Sequence, residues 1–225
     1  MTNGLTDYPT IALIGGTGKQ GTALAARFAK AGVRVLIGSR DAARAENAAR
    51  EINARLSVTN IGGYSNRDAA ARAEIILLAL PYKGMQPILE DIRGAVQNKI
   101  VINIASSLDP ERKSRARVVP AGSITQELQN FFGNTARVVA AFQNISPEKL
   151  EGDAKIDADV LVCGGDRDAR EKVIALIERI GMDAFDAGAI QNAVVVETLT
   201  AALIAINIKY KVKGAGIRVT GVPRD

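Results

Sequence analysis

Short apolar runs, each stopped by glycine, proline or a polar cluster, recur along the chain, and between them lie alanine-rich stretches with a helical period. The first run is Ile11-Ala12-Leu13-Ile14. A helical stretch follows its glycine turn, and a second run, Val35 to Gly38, ends at Ser39-Arg40. Residues 41–57 have an amphipathic helical pattern, residues 58–62 read as a short strand, and Ser65 opens a brief helix. Ile75 to Leu80 is wholly apolar and stops at Pro81, the pattern of a central parallel strand buried on both faces. Residues 83–93 then predict a helix, 99–104 a strand, Ser123 to about Phe131 a helix, and 137–142 another strand. This alternation predicts an α/β fold with a Rossmann-like, doubly wound parallel sheet.

Past Phe142 the pattern shortens but keeps its sense. Residues 160–163 read as a strand. Asp166 caps a helix that turns Val173, Ile174, Leu176, Ile177 and Ile180 inward, Gly181 ends it, and 183–186 offer a short strand extending the sheet. A last helix, from about Ala189 to Tyr210, carries Val194, Val195, Val196, Leu199, Leu203, Ile204, Ile206 and Ile208. That is more apolar surface than one stripe needs, so the helix is either buried within its own chain or part of a homodimer interface. Neither a repeat nor a long linker interrupts the chain. It reads as one nucleotide-binding domain over residues 1–225, with a small C-terminal helical extension from about residue 143.

The glycines after the first strand add chemistry. Gly16, Gly18 and Gly21 fill the three positions of the dinucleotide-binding fingerprint: a tight turn, close approach of backbone to a pyrophosphate, and close packing of helix on strand. An apolar strand precedes them and a helix follows, which is the context the motif requires. At the end of the second strand, where an NAD-preferring domain places an acid for the ribose hydroxyls, stand Gly38-Ser39-Arg40, with Arg44 one turn further on. A hydroxyl and two guanidinium groups suit a 2'-phosphate, so the expected cofactor is NADP(H). Ligands on such a sheet gather at the carboxyl ends of the strands. That rule selects Gly15 to Gly21, Ser39-Arg40, Leu80-Pro81-Tyr82 and Asn103-Ile104-Ala105-Ser106. Leu80 and Pro81 either pack against the nucleotide or merely stop a strand, and Asn103 either faces the cofactor or satisfies a strand end.

Composition narrows the function classes. One cysteine and no histidine exclude a disulfide framework and the usual zinc sites, so no metal is expected, and Cys163 in an apolar run reads as a small core residue. The sequence lacks a signal-peptide pattern and an uninterrupted apolar stretch of about 18 residues, so a cytoplasmic protein with no membrane partner is expected. The net charge of +5 is spread along a chain without tryptophan or aromatic interleaving, which fits an anionic small molecule better than nucleic acid. The densest basic cluster, Arg112 to Arg117, reads as a solvated loop.

Nearly end to end, the chain resembles the F420-dependent NADP oxidoreductases. The resemblance rests on Ile14-Gly15-Gly16-Thr17-Gly18 with Gly21, Gly38-Ser39-Arg40, Leu80-Pro81-Tyr82, Val162-Cys163-Gly164, Asp186-Ala187-Gly188, Glu197-Thr198-Leu199-Thr200, and Gly214 to Gly221. It implies hydride transfer between NADPH and the deazaflavin coenzyme F420. Thr17 and Gln20 would meet the pyrophosphate region, and Ser39, Arg40 and Arg44 the 2'-phosphate. Ile104, Ala105, Gln143, Asn144 and Ile145 would form the deazaflavin pocket. Members commonly carry His where this chain has Gln143, and that departure favours an alternative acceptor such as a flavin, quinone or imine. A further alternative is a redox sensor that binds NADPH without turnover. No catalytic acid or base is expected, because hydride transfer between two rings depends on alignment; Lys149 and Lys209 read as solvated. The basic tail, Lys209, Lys211, Lys213 and Arg218, either complements a helix dipole or attracts the phosphate and carboxylates of the deazaflavin tail.

Overall fold

Strand β1 (Ile11–Ile14) consists of four fully buried apolar residues, as a strand covered on both faces must. In the computed structural model, which describes residues 8–152 and 154–223, it lies at the centre of the first of two compact units, Met1–Ile102 and Asn103–Asp225. Around it are α1 (Lys19–Lys30), β2 (Val35–Ser39), α2 (Ala42–Leu56), β3 (Ile61–Ser65), α3 (Asn66–Arg72), β4 (Ile75–Leu78), α4 (Gln86–Ile92) and β5, which starts at Lys99 and ends at Asn103. The strand order is β3-β2-β1-β4-β5. Leu13 lies opposite Ile37 on one side and Leu77 on the other, both pairings parallel. The winding reverses between β1 and β4, which puts the topological switch point at the turns after these two strands.

Two boundaries differ from the sequence pattern. β3 begins at Ile61 and not at Val58, because Ser57 takes a left-handed φ of 55° to end α2 and the Asn60 amide donates to the Ala29 and Val33 carbonyls. α4 begins at Gln86 and not at Lys83, since Gly84, with φ of +87°, belongs to a turn. Lys99 donates its ammonium protons to the Ala70 and Ala71 carbonyls, closing the C-terminus of α3, and burial lowers its pKa.

In the second unit α5 (Ile124–Phe132), β6 (Ala136–Ala140), the one-turn α6 (Pro147–Leu150), β7 (Val160–Gly164), α7 (Arg167–Arg179), β8 (Ala184–Asp186) and α8 (Ala193–Tyr210) follow in order. The doubly wound, Rossmann-like α/β fold is present together with a C-terminal helix, but β7 runs antiparallel to β6 and only β8 pairs parallel to β7. A parallel return needs a crossover long enough to cover the sheet, and α6 provides a single turn. Ala140, Cys163, Ala193 and Val196 form one core cluster. Burial pushes the Cys163 thiol up to about 11, so it stays protonated at neutral pH.

Helix α8 divides its residues sharply. Ala193, Val196, Ala201 and Leu203 are buried, whereas Val195, Ile208 and Tyr210 are 60%, 67% and 69% exposed. By length and mean hydropathy the segment Ile190–Tyr210 is apolar enough to cross a membrane, which the interrupted sequence pattern did not suggest. Its middle, however, contains Glu197, completely buried and held by protein donors. The Glu197 Oε1 atom accepts from the Thr125 amide (2.8 Å), the Thr125 hydroxyl (2.7 Å) and Asn103 Nδ2 (3.2 Å). Oε2 accepts from the Ile124 amide (2.8 Å) and the Ser107 hydroxyl (2.7 Å). Two of these donors are the first amides of α5, which the carboxylate thereby caps.

Burial raises the Glu197 pKa, and the hydrogen bonds from Ser107 and Thr125 pull in the opposite direction without cancelling the shift. Replacing Glu197 with Ala leaves buried donors unpaired and is expected to cost at least about 3 kcal/mol in urea unfolding. Because the folded-state pKa is raised, wild-type stability should fall as pH rises from the ordinary glutamate range through the raised value. Glu197→Gln should lack that slope, and equal slopes for the two proteins would contradict the buried-carboxyl account.

Candidate functional site

The glycines of the turn after β1 differ in what surrounds them. Gly15, with φ of +70°, makes the left-handed bend, and a Cβ there would lie 2.3 Å from Leu80 Cδ2. A Cβ on Gly16 would meet the Leu13 carbonyl oxygen at 2.6 Å, and one on Gly21 would meet Gly16 Cα and its carbonyl oxygen, both at 2.6 Å. Gly16 and Gly21 are closed by backbone and Gly15 by the Leu80 side chain. Gly18 is different, because a Cβ there would meet nothing within 4 Å. It is exposed and serves as N-cap of α1 without any side-chain cap, so Thr17 does not cap this helix. The turn is fixed from below by Asn66, a buried residue whose Oδ1 accepts from the Gly15 amide at 3.2 Å. Gly38 leaves room for that contact, since its Cβ would stand 3.0 Å from Asn66 Oδ1. Asn66 carries no signal in the sequence, being one polar residue at the start of an exposed-looking helix.

Residues Leu80, Pro81, Ser39, Arg40 and Arg44 belong to the same unit. Leu80 is buried against Gly15, whereas Pro81 is exposed. Ser39 is nearly buried, and its hydroxyl accepts from the Asp41 amide at 3.2 Å. Arg40 and Arg44 are exposed on either side of Asp41. An acid therefore does stand beside the end of β2, but its carboxylate is turned into α2. The Asp41 Oδ1 atom accepts from the Ala43 and Arg44 amides at 3.0 and 3.3 Å, the role of an N-cap. Cations, not an acid, are presented at this strand end.

In the second unit Asn103, Ile104, Gln143, Asn144 and Ile145 are all buried, and Ala105 is the partly exposed member of the set. The Asn103 side chain is consumed internally. Its Oδ1 accepts from the Ala105 amide, and its Nδ2 donates to Thr125, Glu197 and the Ala105 carbonyl. Asn103 thus holds the loop in shape at the strand end. Its carbonyl accepts from Gln143 Nε2 at 2.7 Å. The turn is made by Phe142, a buried residue with a left-handed φ of 70°. Asn144 Nδ2 donates to the Val196 carbonyl, and Thr200 bridges the Gln143 carbonyl and the Ser106 hydroxyl at 2.9 Å each. Gln143 Oε1 and Asn144 Oδ1 are buried acceptors without a donor among the described residues.

Several cations suggested by the sequence are already engaged. Arg218 pairs with Asp157 at 2.8 Å and lies 3.7 Å from the buried Asp159, so this part of the tail is structural. Lys149 is half-buried and donates to the Asp157 carbonyl at 2.8 Å. Lys209, Lys211 and Lys213 are exposed around the end of α8.

Residues 10–107 match the family model described as NADP oxidoreductase, coenzyme F420-dependent. The chain is 38% identical over 221 residues to an F420-dependent NADP reductase of Methanocaldococcus jannaschii, spanning 94% of this chain and 98% of that one. It is 40% identical over 224 residues to a protein of the same description from Methanothermobacter thermautotrophicus, with 96% of each covered. A crystal structure from Arthrobacter sp. FB24, described as a candidate F420-dependent NADP reductase, superposes with a TM-score of 0.81 over 94% of this chain and 99% of that chain at 24% identity, which supports the fold. The two archaeal matches extend over nearly the full length of both partners, and the chain belongs to the F420-dependent NADP reductase family.

Proposed function

We propose that this chain is a cytoplasmic oxidoreductase that transfers a hydride between NADP(H) and coenzyme F420. The observation that carries the nucleotide half is the open position at Gly18, beside a helix start that no side chain caps, at the switch point of a parallel sheet. A pyrophosphate fits there because Gly18 alone of the fingerprint glycines leaves the space empty. Thr17 and Gln20 flank it, Leu80 and Pro81 border the turn, and Ser39, Arg40 and Arg44 hold the 2'-phosphate. The deazaflavin ring meets Ile104, Ala105, Gln143, Asn144 and Ile145. The orphaned Gln143 and Asn144 oxygens suit a partner that donates N–H groups, and a deazaflavin ring and a carboxamide both carry them.

When bound, the two coenzymes supply the redox chemistry, two electrons and a proton moving together as a hydride. The chain's own residues bind, orient and exclude water. The Asn103 carbonyl fixes the Gln143 amide, the Glu197 network fixes Asn103, and the loop is therefore pre-shaped before any ring arrives. Gln143, where family members commonly carry His, favours a second reading in which another acceptor replaces the deazaflavin. Anaerobic turnover of NADPH with coenzyme F420, free flavins, quinones and cyclic imines separates the readings. F420 is expected to be the best acceptor by kcat/KM, and turnover of another acceptor alone would move the chain to the second reading. NADPH binding without any turnover would make it a sensor.

The exposed apolar part of α8, Val195, Ile206, Ile208 and Tyr210, supports a homodimer. An Ile208→Asp, Tyr210→Asp variant should elute as a monomer in light scattering where wild type is a dimer. A monomeric wild type at micromolar concentration would remove this assignment.

Replacing Arg40 with Ala removes one or two charge-assisted bonds of about 1.5 to 3 kcal/mol each, so NADPH affinity should fall at least roughly tenfold while NADH binding hardly changes. Equal losses for both nucleotides would refute the 2'-phosphate role. Gly18→Val should fold with near wild-type melting, since its side chain enters open space, yet bind neither nucleotide by calorimetry. Unchanged affinity in the folded variant would place the cofactor elsewhere.

A further inference from the structure

The chain's densest basic segment is not a featureless loop. Residues 108–117 form a small closed hairpin: Leu108 bridges Ala116 antiparallel, the Asp109 amide donates to the Arg115 carbonyl at 3.0 Å, and the Arg117 amide donates to the Ser107 carbonyl at 3.2 Å. Its tip is held by Asp109, whose Oδ1 accepts from the Glu111 and Arg112 amides at 2.8 and 2.9 Å. These amide bonds, first that of Arg112 and then that of Glu111, hold the Asp109 carboxyl below the usual range, with Arg115 and Arg117 adding to the effect. Asp109 therefore stays ionised and is held against the backbone, and with the exposed Glu111 it offsets only part of the charge of the four cations, leaving the hairpin net positive.

Four cations, Arg112, Lys113, Arg115 and Arg117, are exposed on this one element, and none forms a salt bridge among the described residues. Elsewhere the contrast is clear, since Arg167, Arg170 and Arg218 each meet a carboxylate within 2.8 Å. The hairpin is also anchored. Its base residue Ser107 is buried and donates to Glu197, and the neighbouring Ser106 hydroxyl bonds to Thr200. The cations therefore extend from the same backbone as Ile104 and Ala105, with no flexible linker between.

We propose that the 108–117 hairpin binds the anionic tail of the ring co-substrate, a flexible chain carrying a phosphodiester and carboxylates, while residues 104–105 contact the ring. The proposal rests on the F420 reading above and adds to it a separate tail site. Guanidinium groups without a salt bridge on a closed, net positive hairpin are pre-organised for phosphate and carboxylate oxygens, which lowers the ordering cost of binding. The alternative cluster at the end of α8 is the weaker choice, because Arg218 is spent on Asp157 and Asp159 and the three lysines follow an exposed helix end.

The test compares coenzyme F420 with the same deazaflavin bearing only its ribityl chain, using NADPH as reductant. Wild type, an Arg112→Gln, Lys113→Gln, Arg115→Gln, Arg117→Gln variant, and a Lys209→Gln, Lys211→Gln, Lys213→Gln variant are measured across ionic strength, with melting temperature and the KM for NADPH as controls of folding. The hairpin variant is expected to raise the KM for F420 about tenfold at low salt, with kcat and the KM for the tailless deazaflavin unchanged. Its KM for F420 should also lose most of the salt dependence seen in wild type, and the lysine variant should behave as wild type. An F420 KM equal to wild type in the hairpin variant, or transfer of the whole effect to the lysine variant, would overturn the tail site and leave the F420 reading intact. An equal rise for the tailless substrate would also overturn it, since the hairpin would then act on the ring pocket. Failure of wild type to reduce either deazaflavin would overturn the F420 reading itself, and the tail site with it.

Discussion

A single buried carboxylate governs the second unit. Glu197 lies in the middle of an apolar helix and gathers five hydrogen bonds from three separate segments: the loop after β5, the first turn of α5, and Asn103 at the end of the strand. No apolar residue could satisfy those donors, and each donor left unpaired in a low-dielectric interior would be costly. The requirement for full satisfaction fixes α8 along the chain axis, caps α5, and shapes the loop whose residues are the candidates for the ring site. Gln143 bonds to the Asn103 carbonyl, and Thr200 links Gln143, Asn144 and Ser106, so the loops after β5 and β6 and the core share one set of constraints.

In the first unit the organising constraint is steric. The turn after β1 brings backbone against backbone so closely that Gly16 and Gly21 tolerate no Cβ, and α2 lies on β3 with Gly63 only 2.2 Å, at its hypothetical Cβ, from the Glu46 amide nitrogen. Against that crowded background the empty space at Gly18 is informative. Of the three fingerprint glycines, Gly18 is the one whose lack of a side chain is not required by the packing of the turn itself.

Charge is organised by a comparable division. Some cations are absorbed by the fold: Arg170 by Asp186, Arg218 by Asp157 and Asp159, Lys99 by two helix carbonyls, Lys149 by a loop carbonyl. Acids that stand beside the remaining cations are diverted into backbone caps, Asp41 at α2 and Asp109 in the hairpin. Arg40, Arg44 and the four hairpin cations are left exposed and without a salt bridge among the described residues.

The sequence by itself determined the alternation of strands and helices, the glycine turn after β1, the capping serines and aspartates, and the family, because these depend on local periodicity, backbone stereochemistry and short motifs. It misplaced β3 and α4 by three residues each, where the side-chain bond of Asn60 and the turn at Gly84 set the limits. It offered no sign that β7 would run antiparallel, since strand direction follows from what the connection can cover and not from the strand's own residues. Asn66 beneath the glycine turn, the commitment of Asn103 and Arg218 to internal partners, and the hairpin closed around Asp109 were decided only by the tertiary structure. Each depends on where a polar group's partner lies. For Asn66, Asn103 and Arg218 that partner is tens of residues away along the chain, and for Asp109 it is a choice among neighbours that only the folded backbone resolves.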